Sequence, residues 1–168
     1  EHGFPARTIV PGYIGARSVK WLQKIIVSDR PSEKNFVAKD YKMFPPEATP
    51  ETVKPESYGP IYDMVLGSAI CAPSPGERLR AGKNMVRGYA VPPGAPAGQV
   101  SKVEVSPDGG RSWVEARFWG EQRDFAWRLW EAEVTIPAGE STLVVRATDS
   151  KGTLQPERAS WNFKGYLN

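Results

Sequence analysis

Glycine and proline, 16 of each among 168 residues, make up about a fifth of the chain. Proline lacks the backbone N–H that a helix interior or a central strand uses, and glycine loses more backbone entropy than any other residue on entering a regular element. Such dense punctuation favours many short strands joined by turns over long helices. The length allows one hydrophobic core with an appendage. Hydrophobic residues at 40% and charged residues at 24% are ordinary for a soluble globular protein. No apolar run approaches the roughly 20 residues needed to span a bilayer, so no membrane association is expected. The net charge of +3 is small and evenly spread, which argues against a nucleic-acid partner. Cys71 is the single cysteine. It excludes an intramolecular disulfide and any multi-cysteine metal site, and is expected to be a small buried apolar residue.

Three regions differ in texture. Residues 1–42 mix apolar runs with basic residues and glycines, and residues 18–27, rich in β-branched and aromatic types, predict a strand. Residues 43–60 carry Pro45, Pro46, Pro50, Pro55 and Pro60 with acidic residues between them, the composition of an extended linker laid over a surface. Residues 61–168 read as strands at sandwich-like spacing. Residues 86–91 form one. In 100–106, Val103 and Val105 share a face opposite Lys102 and Glu104. In 126–136, Trp130, Ala132, Val134 and Ile136 share a face, residues 143–147 follow, and Trp161 heads a last short strand. About seven strands in about a hundred residues predict an immunoglobulin-like sandwich. Between two of them, Ser106-Pro107-Asp108-Gly109-Gly110-Arg111-Ser112-Trp113 resembles the Asp-box of sialidases and related β-propellers. The resemblance implies a structural hairpin turn, and one copy cannot make a propeller.

The residues suited to chemistry lie at the front. His2, Arg7, Arg17 and Lys20 surround Gly3, Gly12 and Gly15. Glycines let backbone N–H groups approach an anion, Arg supplies a bidentate fork and Lys a point charge. The set suits a phosphate or another oxyanion, although it is no Walker A or dinucleotide fingerprint. By spacing alone, a solvated turn with its charges in water remains the alternative. Trp113, Trp127, Trp130 and Trp161 are expected in strands, as core or interface anchors rather than a sugar-stacking platform. With one histidine and no serine elbow, no Ser/His/Asp arrangement can be assembled.

The blocks His2-Gly3-Phe4-Pro5…Arg7 and Pro11-Gly12…Gly15-Ala16-Arg17-Ser18-Val19-Lys20-Trp21-Leu22 are similar to the sulfite oxidase family of molybdenum–molybdopterin enzymes. The similarity continues in order through residues 39–46 and 68–70, the Ser106–Trp113 turn, Ala126-Trp127-Arg128-Leu129-Trp130, and Gln155-Pro156…Trp161-Asn162. It implies that residues 1–42 end an α+β molybdopterin-binding domain and that 61–168 are the dimerisation domain. It further implies a homodimer that oxidises sulfite to sulfate by two electrons at a molybdenum oxo centre and passes them to an acceptor, a haem protein or oxygen. In this family the positions of His2 and Arg7 contact the molybdopterin, and Ser18, Val19 and Lys20 match the segment holding its phosphate end. Tyr41 matches the tyrosine beside the substrate anion. Where the family commonly has an arginine in its sulfite pocket, this chain has Lys164, which keeps the charge but not the fork.

The cysteine that ligates molybdenum in the family has no match here, so no metal ligand is assigned. The chain is expected to be the C-terminal part of a longer polypeptide, inactive alone; its residues leave the compartment open, and the resemblance implies a soluble intracellular protein of the mitochondrial intermembrane space or the peroxisome. The alternatives are a relative of the assimilatory nitrate reductases, a non-catalytic association module and a tryptophan-rich carbohydrate-binding module.

Overall fold

Alternating apolar and polar residues can be satisfied only if a second layer covers the apolar side of the strand, and residues 64–157 meet that demand with two packed sheets. The structure is a computed structural model that describes residues 1–167. Seven strands form: β1 (Gly67–Ala72), β2 (Gly82–Val91), β3 (Val100–Ser106), β4 (Val114–Glu115), β5 (Arg117–Trp119), β6 (Arg128–Ile136) and β7 (Val144–Asp149). The first sheet has the order β1-β2-β6-β5 and the second β4-β3-β7, with every pairing antiparallel. The chain is mainly β, and this half is an immunoglobulin-like sandwich.

The core is where the alternation put it. Val103 and Val105 of β3 and Trp130, Ala132, Val134 and Ile136 of β6 are buried together with Val86, Ala90 and Ala147. Each fully buried valine contributes about 1.5–2 kcal/mol relative to an exposed one. The turn after β3 is fixed by Asp108. Its Oδ1 accepts from the N–H of Arg111 at 3.0 Å and of Ser112 at 2.9 Å, and its Oδ2 from the Ser112 hydroxyl at 2.6 Å. The Trp113 indole closes the loop by donating to the Gly110 carbonyl at 3.1 Å, and the Arg146 guanidinium lies 3.9 Å from its ring centroid. The turn is a structural knot, as its motif implied.

Four expectations need correction. Residues 18–27 form no strand: only an isolated bridge joins Arg7 to Lys20, and Ile25, Ile26 and Val27 are 72%, 71% and 96% exposed. Residues 161–167 likewise contain no strand. Trp113, Trp127 and Trp161 lie outside strands, whereas Trp130 is in β6 and fully buried. Cys71 is exposed, because the irregularity in β1 between Ile70 and Ala72 breaks the alternation of the edge strand there.

Glu1–Asp63 form a second unit together with the tail that starts at Arg158. Its described residues contain a single short α1 (Asn35–Ala38) and two 3-10 turns, Gly15–Arg17 and Pro55–Ser57. The proline-rich stretch is therefore not uniformly extended. It is fastened by Lys42, which is buried and donates from Nζ to the carbonyls of Pro55 and Tyr58, each at 2.6 Å. Because the tail returns to this unit, Lys164 sits with residues 35–44 rather than with the sandwich.

Candidate functional site

The seven candidate site residues, His2, Arg7, Ser18, Val19, Lys20, Tyr41 and Lys164, lie in the unit formed by Glu1–Asp63 and the tail, in two groups. The first is built on two antiparallel segments. The Thr8 N–H donates to Val19 O at 3.0 Å, that of Leu22 to Ala6 O at 2.9 Å, and the bridge between Arg7 and Lys20 lies between them. Arg7 uses its fork internally, donating to the carbonyls of His2 at 3.2 Å and Ser18 at 2.9 Å. The Ser18 hydroxyl oxygen accepts from the Val10 N–H at 3.3 Å. Gly3, at φ +100°, lies against Arg7 and Lys20. A Cβ there would come within 3.0 Å of Lys20 Cβ and 3.1 Å of Arg7 Cβ, so only glycine lets the turn sit this close. His2, Arg7, Val19 and Lys20 are exposed and Ser18 is half-buried. The result is an open face carrying two cations, an imidazole and a hydroxyl, a donor set that fits the phosphate end of a pterin cofactor.

The second group joins the segment after α1 to the tail. Lys164 Nζ donates to Asp40 Oδ1 at 2.9 Å, and Asn35 Nδ2 donates to Oδ2 of the same carboxylate at 2.6 Å. This hydrogen bond to Asp40 raises the Lys164 pKa above the ordinary lysine value. The Tyr41 ring stacks on Tyr166, with centroids 5.0 Å apart, and meets Phe36 at 6.1 Å. Phe44 stacks on Phe163 at 5.2 Å, and buried Asn162 donates to Tyr166 O at 2.8 Å. Tyr41 adopts φ +44°, a left-handed conformation that costs a non-glycine residue about 1–2 kcal/mol. The Ile61 N–H holds it there by donating to Tyr41 O at 2.6 Å. Asp40 and Lys164 border a cleft of about 490 Å³ that is also lined by Asn35, Lys39, Phe44 and Phe163.

The structure thus unites His2, Arg7, Ser18, Val19 and Lys20, and separately unites Tyr41 and Lys164. No hydrogen bond, ion pair or ring contact among the described residues joins the two groups. Sequence reasoning missed Asp40, Lys42 and Tyr166. The first two stood in the open beside Tyr41, but the carbonyls that Lys42 binds lie 13 and 16 positions away and the Lys164 that Asp40 binds lies 124 away. Among the described residues, no group of three or more His, Cys, Asp or Glu side chains is arranged to hold a metal. No helix among them is long and apolar enough to cross a membrane.

Residues 58–168 match the Mo-co oxidoreductase dimerisation domain, and residues 1–36 match the oxidoreductase molybdopterin binding domain. The whole chain aligns with the mitochondrial sulfite oxidase of Homo sapiens at 39% identity over 176 residues, covering 32% of that protein. It aligns with the sulfite oxidase of Arabidopsis thaliana at 40% over 182 residues, covering 45%, and with nitrate reductase [NADH] 1 of Phaseolus vulgaris at 35% over 193 residues, covering 21%. The sulfane dehydrogenase SoxCD of Paracoccus pantotrophus superposes with a TM-score of 0.75 at 30% identity, over 93% of this chain and 38% of that one. The chain spans less than half the length of these relatives. With both domain matches falling in order along an antiparallel sandwich and its preceding unit, the chain belongs to the sulfite oxidase family of molybdenum–molybdopterin oxidoreductases, of which it is a segment.

Proposed function

We propose that this chain is the C-terminal part of an enzyme that oxidises sulfite to sulfate, with residues 1–42 completing the pterin-binding domain and 61–168 the dimerisation domain. The balance is sulfite plus water giving sulfate, two protons and two electrons, the electrons leaving to a haem protein or to oxygen. The molybdenum centre supplies the two-electron redox couple when the cofactor is bound. Lys20 and the outer hydrogens of Arg7 neutralise the phosphate end of the pterin, and Ser18 and His2 add neutral hydrogen bonds. The Val19 backbone holds the spacing of that segment. Tyr41 donates its phenol hydrogen to an oxygen of the substrate anion, and Lys164 contributes a charge-assisted bond to the same anion. The observation that carries this reading is that the tail returns to this segment, Tyr166 stacking on Tyr41 and Lys164 binding the adjacent Asp40, although Tyr41 and Lys164 are 123 positions apart in sequence.

The sandwich supports association with a second copy through the outer face of the four-stranded sheet. Trp119, Leu129 and Tyr89 follow one another across that face in register, and Trp127 stacks on Tyr89 at 4.5 Å. The adjoining row holds Glu131 between Arg87 and Arg117, so both signs of charge share one surface that a two-fold axis can pair with itself.

The test is the full-length protein, assayed for molybdenum by elemental analysis and for sulfite-dependent reduction of a haem-protein acceptor and of oxygen. About one molybdenum per polypeptide with sulfite turnover is expected. Nitrate reduction without sulfite oxidation, or a metal-free protein, overturns the proposal.

A further inference from the structure

We infer that Asp40 sets the charge selectivity of the anion position at Lys164: by holding the Lys164 ammonium, it makes that position discriminate against dianions and so against retention of the product sulfate. This rests on the reading of Lys164 as a residue that borders the substrate.

The carboxylate is fixed in place. Lys164 Nζ lies 2.9 Å from its Oδ1, Asn35 Nδ2 donates to its Oδ2 at 2.6 Å, and the Asp40 N–H donates to Asn35 O at 2.9 Å. Asp40 is therefore tied at both ends and does not swing away when an anion arrives. A lysine ammonium has three N–H donors, and one of them is taken by Asp40. The others remain for a ligand in the cleft, toward which Lys39 also contributes. The pair is only partly in water, with side-chain exposures of 34% and 24%, and the Phe44–Phe163 stack borders the same cleft.

An oxyanion bonded to Lys164 thus meets a fixed negative charge on the far side of the same ammonium. At a separation of about 6 Å, even with the full screening of water, the repulsion lowers affinity about threefold per unit of ligand charge. The penalty multiplies with charge, to about threefold for a monoanion and about tenfold for a dianion. Sulfite near neutral pH is divided between a singly and a doubly charged form, whereas sulfate is a dianion throughout. Asp40 therefore costs the product more than the substrate, and it favours release after turnover.

The experiment measures binding of sulfate and of nitrate to the full-length holoenzyme by isothermal titration calorimetry, for the wild type, Asp40→Asn and Lys164→Gln. In D40N, sulfate affinity is expected to rise about tenfold and nitrate affinity about threefold. A loosened local structure has no reason to treat the two ligands differently. Unchanged affinities in D40N, or equal gains for both anions, overturn the inference. If D40N loses its thermal transition, Asp40→Ser is read by the same criterion. Loss of sulfate affinity in K164Q together with no change in D40N removes Asp40 alone. Unchanged sulfate affinity in K164Q removes Lys164 from the site, and with it that part of the functional reading.

Discussion

Gly88 and Trp130 face each other across the β2–β6 ladder, and the indole occupies the volume that a side chain at Gly88 would need. A Cβ at this position would overlap both the Trp130 ring and the backbone carbonyl of Ala69 on the neighbouring strand. The carbonyl belongs to a paired strand and cannot turn aside, and Trp130 is fully buried in the centre of the core. Gly88→Ala is therefore expected to destabilise the protein by about 3 kcal/mol despite the higher strand propensity of alanine. The midpoint of chemical denaturation checks it, and a variant as stable as the wild type contradicts this account of the core.

Asp108 answers to pH in a defined direction. Its bonds from the Ser112 hydroxyl and backbone, then from Ser106 and Arg111, hold its carboxyl well below the usual carboxylate range. A carboxyl depressed in the folded state stabilises the fold at pH values above its unfolded value and loses that contribution as pH falls through the folded one. The wild type should accordingly exceed Asp108→Asn in stability at neutral pH. The gap should stay constant down to about pH 4 and close below it. Thermal midpoints of both proteins across that range test the sign, and a gap that widens in acid contradicts it.

Lys42 fastens the proline-rich stretch with two charge-assisted bonds to backbone carbonyls. Lys42→Met keeps the buried stem and deletes both bonds, at a cost of about 2 kcal/mol. The loss should be local at first, so limited proteolysis between residues 45 and 60 should accelerate well before global unfolding shifts by that amount. Cleavage unchanged from the wild type would show that the strap is held elsewhere.

Tyr41→Phe leaves the stack on Tyr166 in place and removes only the hydroxyl. Stability should be preserved within about 0.5 kcal/mol. In the full-length enzyme, kcat/KM for sulfite should fall about tenfold or more. Unchanged kinetics would remove Tyr41 from the site.

Trp119→Glu places a charge in the middle of the exposed row on the four-stranded sheet without touching the core. Sedimentation should shift from dimer to monomer while the far-ultraviolet spectrum stays that of a sandwich. A dimer that survives the substitution moves the interface to another face.

What the sequence determined by itself was everything governed by short-range pattern. The period-two alternation of Val103 and Val105, and of Trp130 through Ile136, identified the buried faces of β3 and β6, because successive side chains of a strand point to opposite sides. The turn at Ser106–Trp113 was legible because its hydrogen bonds run between residues at most four apart. The family blocks were legible for a related reason, since each of the two loops that carry the matching residues is a short run of the chain.

Tertiary structure alone decided the rest. Residues 18–27 have strand propensity, but a strand needs a neighbour to take its backbone hydrogen bonds. The 6–8 segment supplies one only as far as Leu22, whose N–H reaches Ala6 O, and no backbone hydrogen bond joins residues 23–27 to a neighbouring segment among the described residues. The exposure of Cys71 follows from a bulge in an edge strand, which side-chain type does not encode. The contacts of Lys164 with Asp40 and of Tyr166 with Tyr41 join residues more than 120 positions apart. Whether a charged residue is a free cation or one half of a fixed pair depends on which distant segment folds against it, and no local pattern carries that information.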